Sequence, residues 1–327
     1  MIKIALISAW HVHFEAYVDR LKKNNDCEIT VMWDEDPVRG GTWSQKISCD
    51  FEPCYEALLL RRDVDAVMIT APTNLHRELI VKAANAGKHI FTEKVLALSI
   101  ADCLEIKDAV EKNGVKLVVC LLHRIYPRHL FVKAAVDSRL LGEVTSARIR
   151  YAHNGALCDW LPKHFYSTEQ CGGGAMIDLG AHPMYLLPWL LGKPKSVVSI
   201  FNSFTDKAVE DNAVSVIEFE NKAIAVCETS FVSTHSPYSV ELSGTKGALL
   251  LTGLCGDSSD GLKYNIGDGW VTPDNLPEEH AFPTDMLINA ILHDEQIPFT
   301  IDDSIMLSRL MECAYEANAT GKRTEIQ

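Results

Sequence analysis

The segment Gly172-Gly173-Gly174-Ala175-Met176-Ile177-Asp178-Leu179-Gly180-Ala181-His182 carries the most chemistry per residue in the chain. Asp178 and His182 are four residues apart, so on a helix they share one face. An imidazole titrates near neutral pH, so His182 can accept a proton from a hydroxyl. Asp178 can orient a substrate or stabilise the imidazolium. The structural alternative is a buried hydrogen-bonded pair without chemistry. Three glycines let the main chain approach another group closely. Gly180 costs a helix about 1 kcal/mol relative to Ala, which points to close packing against a neighbour, and Pro183 marks a kink or a first turn. A second candidate is Glu93-Lys94. An ammonium there can stabilise a developing alkoxide, whereas an isolated Glu–Lys pair is ordinarily a surface ion pair.

Other residues suit a phosphate-bearing cofactor. Ser8, Ala9, Trp10, His11, Val12 and His13 follow the first apolar run, where a dinucleotide site has its turn. A glycine fingerprint would place glycines where Ser8, Trp10 and His13 stand. Without them, the N–H groups at the start of the next helix remain as donors, and His11 and His13 can add side-chain ones. As a metal pair, His11-x-His13 has no further ligand at a metal spacing, so no metal is predicted. Asp34 lies about 20 residues past the turn, where an acid binds the adenosine ribose hydroxyls. With Glu35 and Asp36 it places negative charge beside a ribose 2′-phosphate, which favours NAD over NADP. Arg39 is the only nearby cation and lies beyond the acidic turn. Thr70, Pro72, Asn74 and His76 form a rigid turn, with Asn74 as the cap of the helix that follows. Plain strand-to-helix punctuation explains the same residues.

These residues need a scaffold that brings strand ends together. Apolar runs at 2–7, 28–33, 66–70, 89–91 and 116–120 read as strands. Helical patterns at 14–23, 55–60, 74–86 and 99–114 separate them, with Ser99 and Asp102 as a capping box and Gly87 and Gly114 as stops. This alternation implies parallel crossovers in a doubly wound sheet, with ligands beyond the carboxyl ends of its strands. After Pro127 the pattern changes. A helix at 130–140, a strand at 144–151, a loop of over 20 residues and a helix ending at Leu191 precede four or five strands between 195 and 252, joined by short turns. Such strands form an antiparallel sheet. The fold class is therefore α/β: an N-terminal Rossmann domain, residues 1–123, and a C-terminal α+β domain, residues 124–327, with an open, mostly antiparallel sheet. A closing helix at about 301–319 is expected to pack back on the first domain.

Composition narrows the function. A formal net charge of −13 over 327 residues, without a basic run, argues against nucleic acid. No stretch reaches the length of a membrane span. Ten scattered cysteines without a C-x-x-C pair suit a reducing cytoplasm better than a disulfide framework. Apolar residues on both faces of the later strands, Val214, Val216, Ala223, Ala225, Leu249 and Leu251 against Ala213, Ile217, Ile224 and Leu250, call for two covers. One of these is expected to be a second copy in a homodimer or homotetramer.

The 2–13 strand and turn, Asp34, the Pro72–His76 turn, Glu93-Lys94, the triple-glycine segment with Asp178 and His182, and Gly321 after the closing helix together resemble the glucose–fructose oxidoreductase and inositol dehydrogenase family, Gfo/Idh/MocA. The resemblance spans nearly the whole chain. It implies an NAD-dependent oxidoreductase acting on a secondary alcohol of a sugar, a polyol or a related small molecule, with Lys94, Asp178 and His182 as the catalytic set. Lys94 and His182 are then expected to face one cavity. Arg124, Tyr126, His153, Trp160 and His164 are candidate substrate contacts, each with a structural role as its alternative. The family also holds enzymes that use bound NAD transiently for elimination or glycoside cleavage, and non-catalytic regulators that sense dinucleotides. Two positions depart from its pattern: the glycine fingerprint is gone, and Val95 replaces the proline that follows Glu-Lys.

Overall fold

The computed structural model describes residues 1–236, 238–253 and 261–326, in two units. The first holds residues 1–121 and 281–305. It runs β1 (Ile2–Ile7), α1 (Phe14–Lys23), β2 (Cys27–Trp33), α2 (Pro37–Ile47), β3 (Asp50–Phe51), α3 (Tyr55–Leu59), β4 (Ala66–Ile69), α4 (His76–Asn85), β5 (His89–Thr92), α5 (Ile100–Asn113) and β6 (Leu117–Val119). The six strands form one parallel sheet in the order β3-β2-β1-β4-β5-β6. Every residue of β4 is buried, as expected where helices cover both faces of a parallel sheet. Strand order reverses between β1 and β4, which opens a crevice at their carboxyl ends.

Local chemistry explains the helix ends. In α1 the buried residues Phe14, Tyr17, Val18 and Leu21 recur at helical spacing. Ser99 accepts the Asp102 N–H at 3.1 Å, as the capping box predicts. Asn74 does not cap α4. A 3-10 turn, Thr73–Leu75, intervenes and closes through Leu75 N–H to Pro72 O, so the helix starts two residues later. Helix α2 is an element the apolar pattern leaves unassigned, yet Asp36 caps it and Pro37 opens it.

The second unit holds residues 122–280 and 306–327. It contains α6 (Pro127–Asp137), β7 (Val144–Ala152), α7 (Thr168–Cys171), α8 (Ala175–Asp178), α9 (Ala181–Leu191), β8 (Pro194–Asn202), β9 (Asn212–Phe219), β10 (Ile224–Ser230), β11 (Ser239–Gly244), β12 (Ala248–Thr252), β13 (Gly261–Asn265) and β14 (Thr324–Glu325). Eight strands lie in the order β13-β12-β11-β7-β10-β9-β8-β14, antiparallel except for β7 beside β10. One sheet face carries buried Ala147, Ile149, Ala213, Ile217, Ala225, Leu249 and Leu251 and packs under α9. The other carries exposed Val198, Ile200, Val216 and Ile224, and an ion-pair ladder of Arg148 and Arg150 with Glu228. Register sorts the apolar residues differently from the sequence grouping. Ala225 pairs with Ile217 and faces the core, and Val226 pairs with Val216 and faces outward.

Helix α10 (Pro283–His293) belongs to the first unit, where Asp285 accepts from Arg20 at 3.1 Å and Asn24 at 2.9 Å. The division between units falls within α11 (Ile301–Thr320). Among the described residues no helix is long and apolar enough to cross a membrane.

Candidate active site

The β1–α1 turn keeps a glycine's backbone without the glycine. Ser8 has φ 70°, in the left-handed region, which costs an L-residue about 1–2 kcal/mol. Its hydroxyl accepts the Trp10 N–H at 3.1 Å. The Thr70 hydroxyl donates to Ser8 O at 2.6 Å, and His11 N–H donates to Thr70 O at 3.1 Å. Trp10 is buried, whereas Val12 and His13 are exposed. The turn therefore sits at the switch point, tied to both β1 and β4.

Asp34 ends β2 as the spacing predicts, but its carboxylate is already occupied. It accepts from Ala9 N–H at 2.9 Å and Asp36 N–H at 2.8 Å. Arg39 does not lie beyond the acidic turn. Its Nε lies 3.0 Å and its Nη2 2.6 Å from the two Asp34 oxygens, and Nη2 also reaches Glu35 at 2.5 Å. The first turn of α2 folds the arginine back, and the Asp34 side chain is 0% exposed against 26% for Arg39. Arg39 and Glu35 are thus similarly exposed, 26% and 24%, above the buried Asp34 carboxylate.

Glu93 is not a surface residue. It is 3% exposed at the end of β5. It accepts from Tyr17 Oη and from Lys94 N–H at 3.2 Å, with His13 Nδ1 at 3.5 Å and His11 Nδ1 at 3.8 Å. Burial alone would raise its pKa, but the His11 and His13 imidazoles and Lys94 hold it well below the usual carboxylate range. The peptide bond from Lys94 to Val95 is cis. His76 is buried, with Nδ1 3.0 Å from Val95 O and Nε2 3.1 Å from Ala71 O. Burial pushes its pKa down. Its ring joins the two loops and is not presented to a cofactor. Thr70 likewise acts through the turn, while Pro72 is buried and Asn74 exposed.

In the second unit Asp178 ends α8 and His182 is the second residue of α9, with Leu179 and Gly180 joining the two helices in helical conformation. A Cβ at Gly180 would lie 2.3 Å from Met176 O and 2.6 Å from Met176 Sδ, so this glycine makes room for the preceding turn of its own segment. The Glu210 carboxylate fixes the segment, accepting from Gly174 N–H at 2.9 Å, Met176 N–H at 3.0 Å and Tyr315 Oη at 2.6 Å. His182 Nδ1 lies 2.9 Å from Tyr185 Oη, which accepts the His123 N–H at 3.0 Å. The His182 ring stacks on His123, with centroids 4.5 Å apart. Behind it, Tyr238 Oη lies 3.3 Å from His123 Nδ1 and 2.7 Å from His129 Nε2. Burial pushes His129 down to about 3, with Arg128 adding to the effect.

The candidate substrate residues divide. Tyr126 lies 5.9 Å from His123, at the edge of this ring cluster. His153 stacks on Phe231 and meets Trp160 at 4.6 Å. Burial lowers the His153 pKa while the Asp178 charge opposes the shift, so these two residues share a neighbourhood. Arg124 is buried with its guanidinium over the Trp189 ring, 5.0 Å from the centroid. The His164 ring packs against Phe165. His123, His129, Tyr185, Tyr238 and Glu210 belong to no motif that the sequence singles out. Tyr185 alone had a local signal, three residues beyond His182 on one helix; the others come from separate elements.

A parallel sheet with its switch point at a β1–α1 turn, followed by an open sheet bearing an Asp/His segment, defines an oxidoreductase built on an NAD-binding Rossmann unit. A family model described as "Oxidoreductase family, NAD-binding Rossmann fold" matches residues 4–121, and one described as the GFO/IDH/MocA C-terminal domain matches 129–250. The chain belongs to the Gfo/Idh/MocA family of oxidoreductases, among NAD-dependent dehydrogenases. It is similar to the inositol 2-dehydrogenase of Rhizobium meliloti, 25% identical over 99% of both chains. It is also similar to the 2,7-anhydro-N-acetylneuraminate hydratase of Mediterraneibacter gnavus, 27% identical over 72% of this chain and 64% of that one. The solved aldose–aldose oxidoreductase of Caulobacter crescentus shares the fold, with a TM-score of 0.85 at 20% identity over 99% of both chains.

Proposed function

We propose that the protein transfers hydride between NAD and a secondary alcohol of a sugar or polyol. The observation that carries this reading is the Asp178–His182 segment, locked by Glu210 and bearing an imidazole whose Nδ1 is already oriented by Tyr185. Its similarity to an inositol dehydrogenase supports the substrate class. In this reading the imidazole takes the hydroxyl proton as hydride leaves the carbinol carbon. Asp178 orients the substrate or stabilises the imidazolium, and the Lys94 ammonium stabilises the developing alkoxide. Tyr126, His153 and Trp160 bind the remaining hydroxyls. Arg124 and His164 are assigned to the same rim by their places before and within the long loop.

The residues at the β1–α1 turn suit a dinucleotide. The left-handed Ser8 preserves the turn, and His11, His13 and Arg39 supply side-chain donors where a glycine loop would supply main-chain ones. NAD held there would supply the hydride acceptor. NAD is preferred to NADP because two carboxylates, Asp34 and Glu35, hold the one arginine near the ribose. The working form is a homodimer or homotetramer in which a second copy covers Val198, Ile200, Val216 and Ile224. Neither nucleic acid nor a membrane takes part, and the location is the cytoplasm, in keeping with the thiols of Cys27, Cys49, Cys54, Cys158, Cys227 and Cys313.

The test is a panel of inositols, aldoses and glucosides with NAD, read as NADH formation. NADH formation on at least one member is expected, and none on any member would overturn the reading. A second reading, elimination or hydration through transiently reduced NAD, is favoured by the similarity to a hydratase. Product formation without net NADH, from protein that copurifies with NAD, would establish it instead. Light scattering at micromolar concentration should give at least twice the 36.3 kDa chain mass; a monomer would remove the assembly from the proposal.

A further inference from the structure

We propose that His11, His13 and Glu93 form a binding site for one divalent transition-metal ion at the carboxyl end of β1. The inference goes beyond the dehydrogenase reading and stands without it.

Sequence spacing gives only a histidine pair, two residues apart in a turn. The parallel sheet supplies the missing ligand, because β5 ends near β1 with only β4 between them. The ligand atoms of His11, His13 and Glu93 all lie within 4.8 Å of one another. Two of the three separations are short, 3.5 Å from His13 Nδ1 and 3.8 Å from His11 Nδ1 to Glu93 Oε1. Bonds of about 2.0–2.1 Å in a tetrahedral shell put neighbouring ligand atoms roughly 3.3 Å apart. Small movements of the His13 side chain, which lies exposed in the turn, therefore close the site.

The electrostatics favour a cation. Glu93 is a buried carboxylate whose Oε1 lies toward both imidazoles. Tyr17 donates to the same Oε1. Such a donor on a ligating carboxylate orients it. Two imidazoles and one carboxylate suit zinc or cobalt rather than magnesium or calcium, which prefer all-oxygen shells. Three protein ligands leave at least one position for water or another oxygen donor. His11 Nδ1 also receives the His13 N–H at 3.2 Å, a contact that gives way as the metal takes that lone pair.

The experiment uses the full chain, stripped with a chelator and titrated with Co²⁺ in the absence of dinucleotide and substrate. One equivalent should bind, with nitrogen and oxygen d–d bands and no thiolate charge-transfer band, and Zn²⁺ should displace it. His13→Ala and Glu93→Gln should each weaken binding at least tenfold, with unchanged circular dichroism for the exposed His13 variant. The Cys54→Ser/Cys158→Ser double variant should bind as the parent does, since those thiols are exposed. No saturable binding, a thiolate band, or undiminished binding in His13→Ala would overturn the proposal. Because no step requires dinucleotide, failure here leaves the dehydrogenase reading standing, and success does not depend on it.

Discussion

At the scale of single residues, the acids and bases are chosen by environment. If His182 is the base, His182→Ala should lower kcat by about 10²-fold or more while NADH binding changes far less. Lys94→Ala should lower kcat on a similar scale through lost charge stabilisation. Steady-state kinetics with a fluorescence titration of NADH separates the two effects; comparable losses of binding and kcat would reject the assignment of His182. Arg39 offers a sharper test of cofactor choice. It is shared by Asp34 and Glu35, so Glu35→Gln removes one of its two anions. The ratio of NADPH to NADH affinity should then rise, by about tenfold if the freed interaction is worth about 1.4 kcal/mol. An unchanged ratio would mean that Arg39 does not face the 2′ position.

At the scale of elements, short anchored pieces do the positioning. Helices α8 and α9 are joined in helical conformation, so Asp178 and His182 move as one segment. Glu210 ties the start of that segment to Tyr315 of α11. Glu210→Ala leaves two N–H groups and a phenol without their carboxylate, a loss of about 2–3 kcal/mol for charge-assisted bonds. Urea unfolding should show that loss, whereas Glu220→Ala on an exposed turn should change stability by under about 0.5 kcal/mol. Equal effects from the two variants would rule out Glu210 as an anchor.

Over the whole molecule, buried histidines couple stability to pH. His129 is buried and neutral, with its folded pKa depressed to about 3. The unfolded chain binds a proton there once pH falls below about 6.5, so this contribution is fully present above that pH and is lost as pH falls toward the folded value. Between pH 6.5 and 4.5 the loss from His129 alone is about 2 kcal/mol. His76 and His153 are shifted the same way, so the comparison needs a variant. The His129→Gln protein should lose about 2 kcal/mol less than the parent across that interval, measured by urea midpoints. Parallel pH curves would show that His129 carries a proton in the folded state.

Much of this architecture was legible in the chain. Five of the six strands of the first sheet, the capping box at Ser99 and the stops at Gly87 and Gly114 follow from apolar spacing and local backbone chemistry, which act over a few residues, whereas the two-residue β3 has no such pattern. The Asp178–His182 pairing was legible because its spacing is local, whereas Lys94 joined it only through the family resemblance. Three things were decided only by tertiary structure. The fold buried Glu93, a surface ion-pair candidate by sequence, between two histidines. The turn into α2 brought Arg39 back onto Asp34, so the predicted ribose acid is already paired. Cross-strand register sent Ala225, Leu249 and Leu251 inward while leaving Val216 and Ile224 exposed. In each case the partner lies on another strand or helix, and no local pattern encodes which distant element arrives; the free energy of burying the whole core selects it.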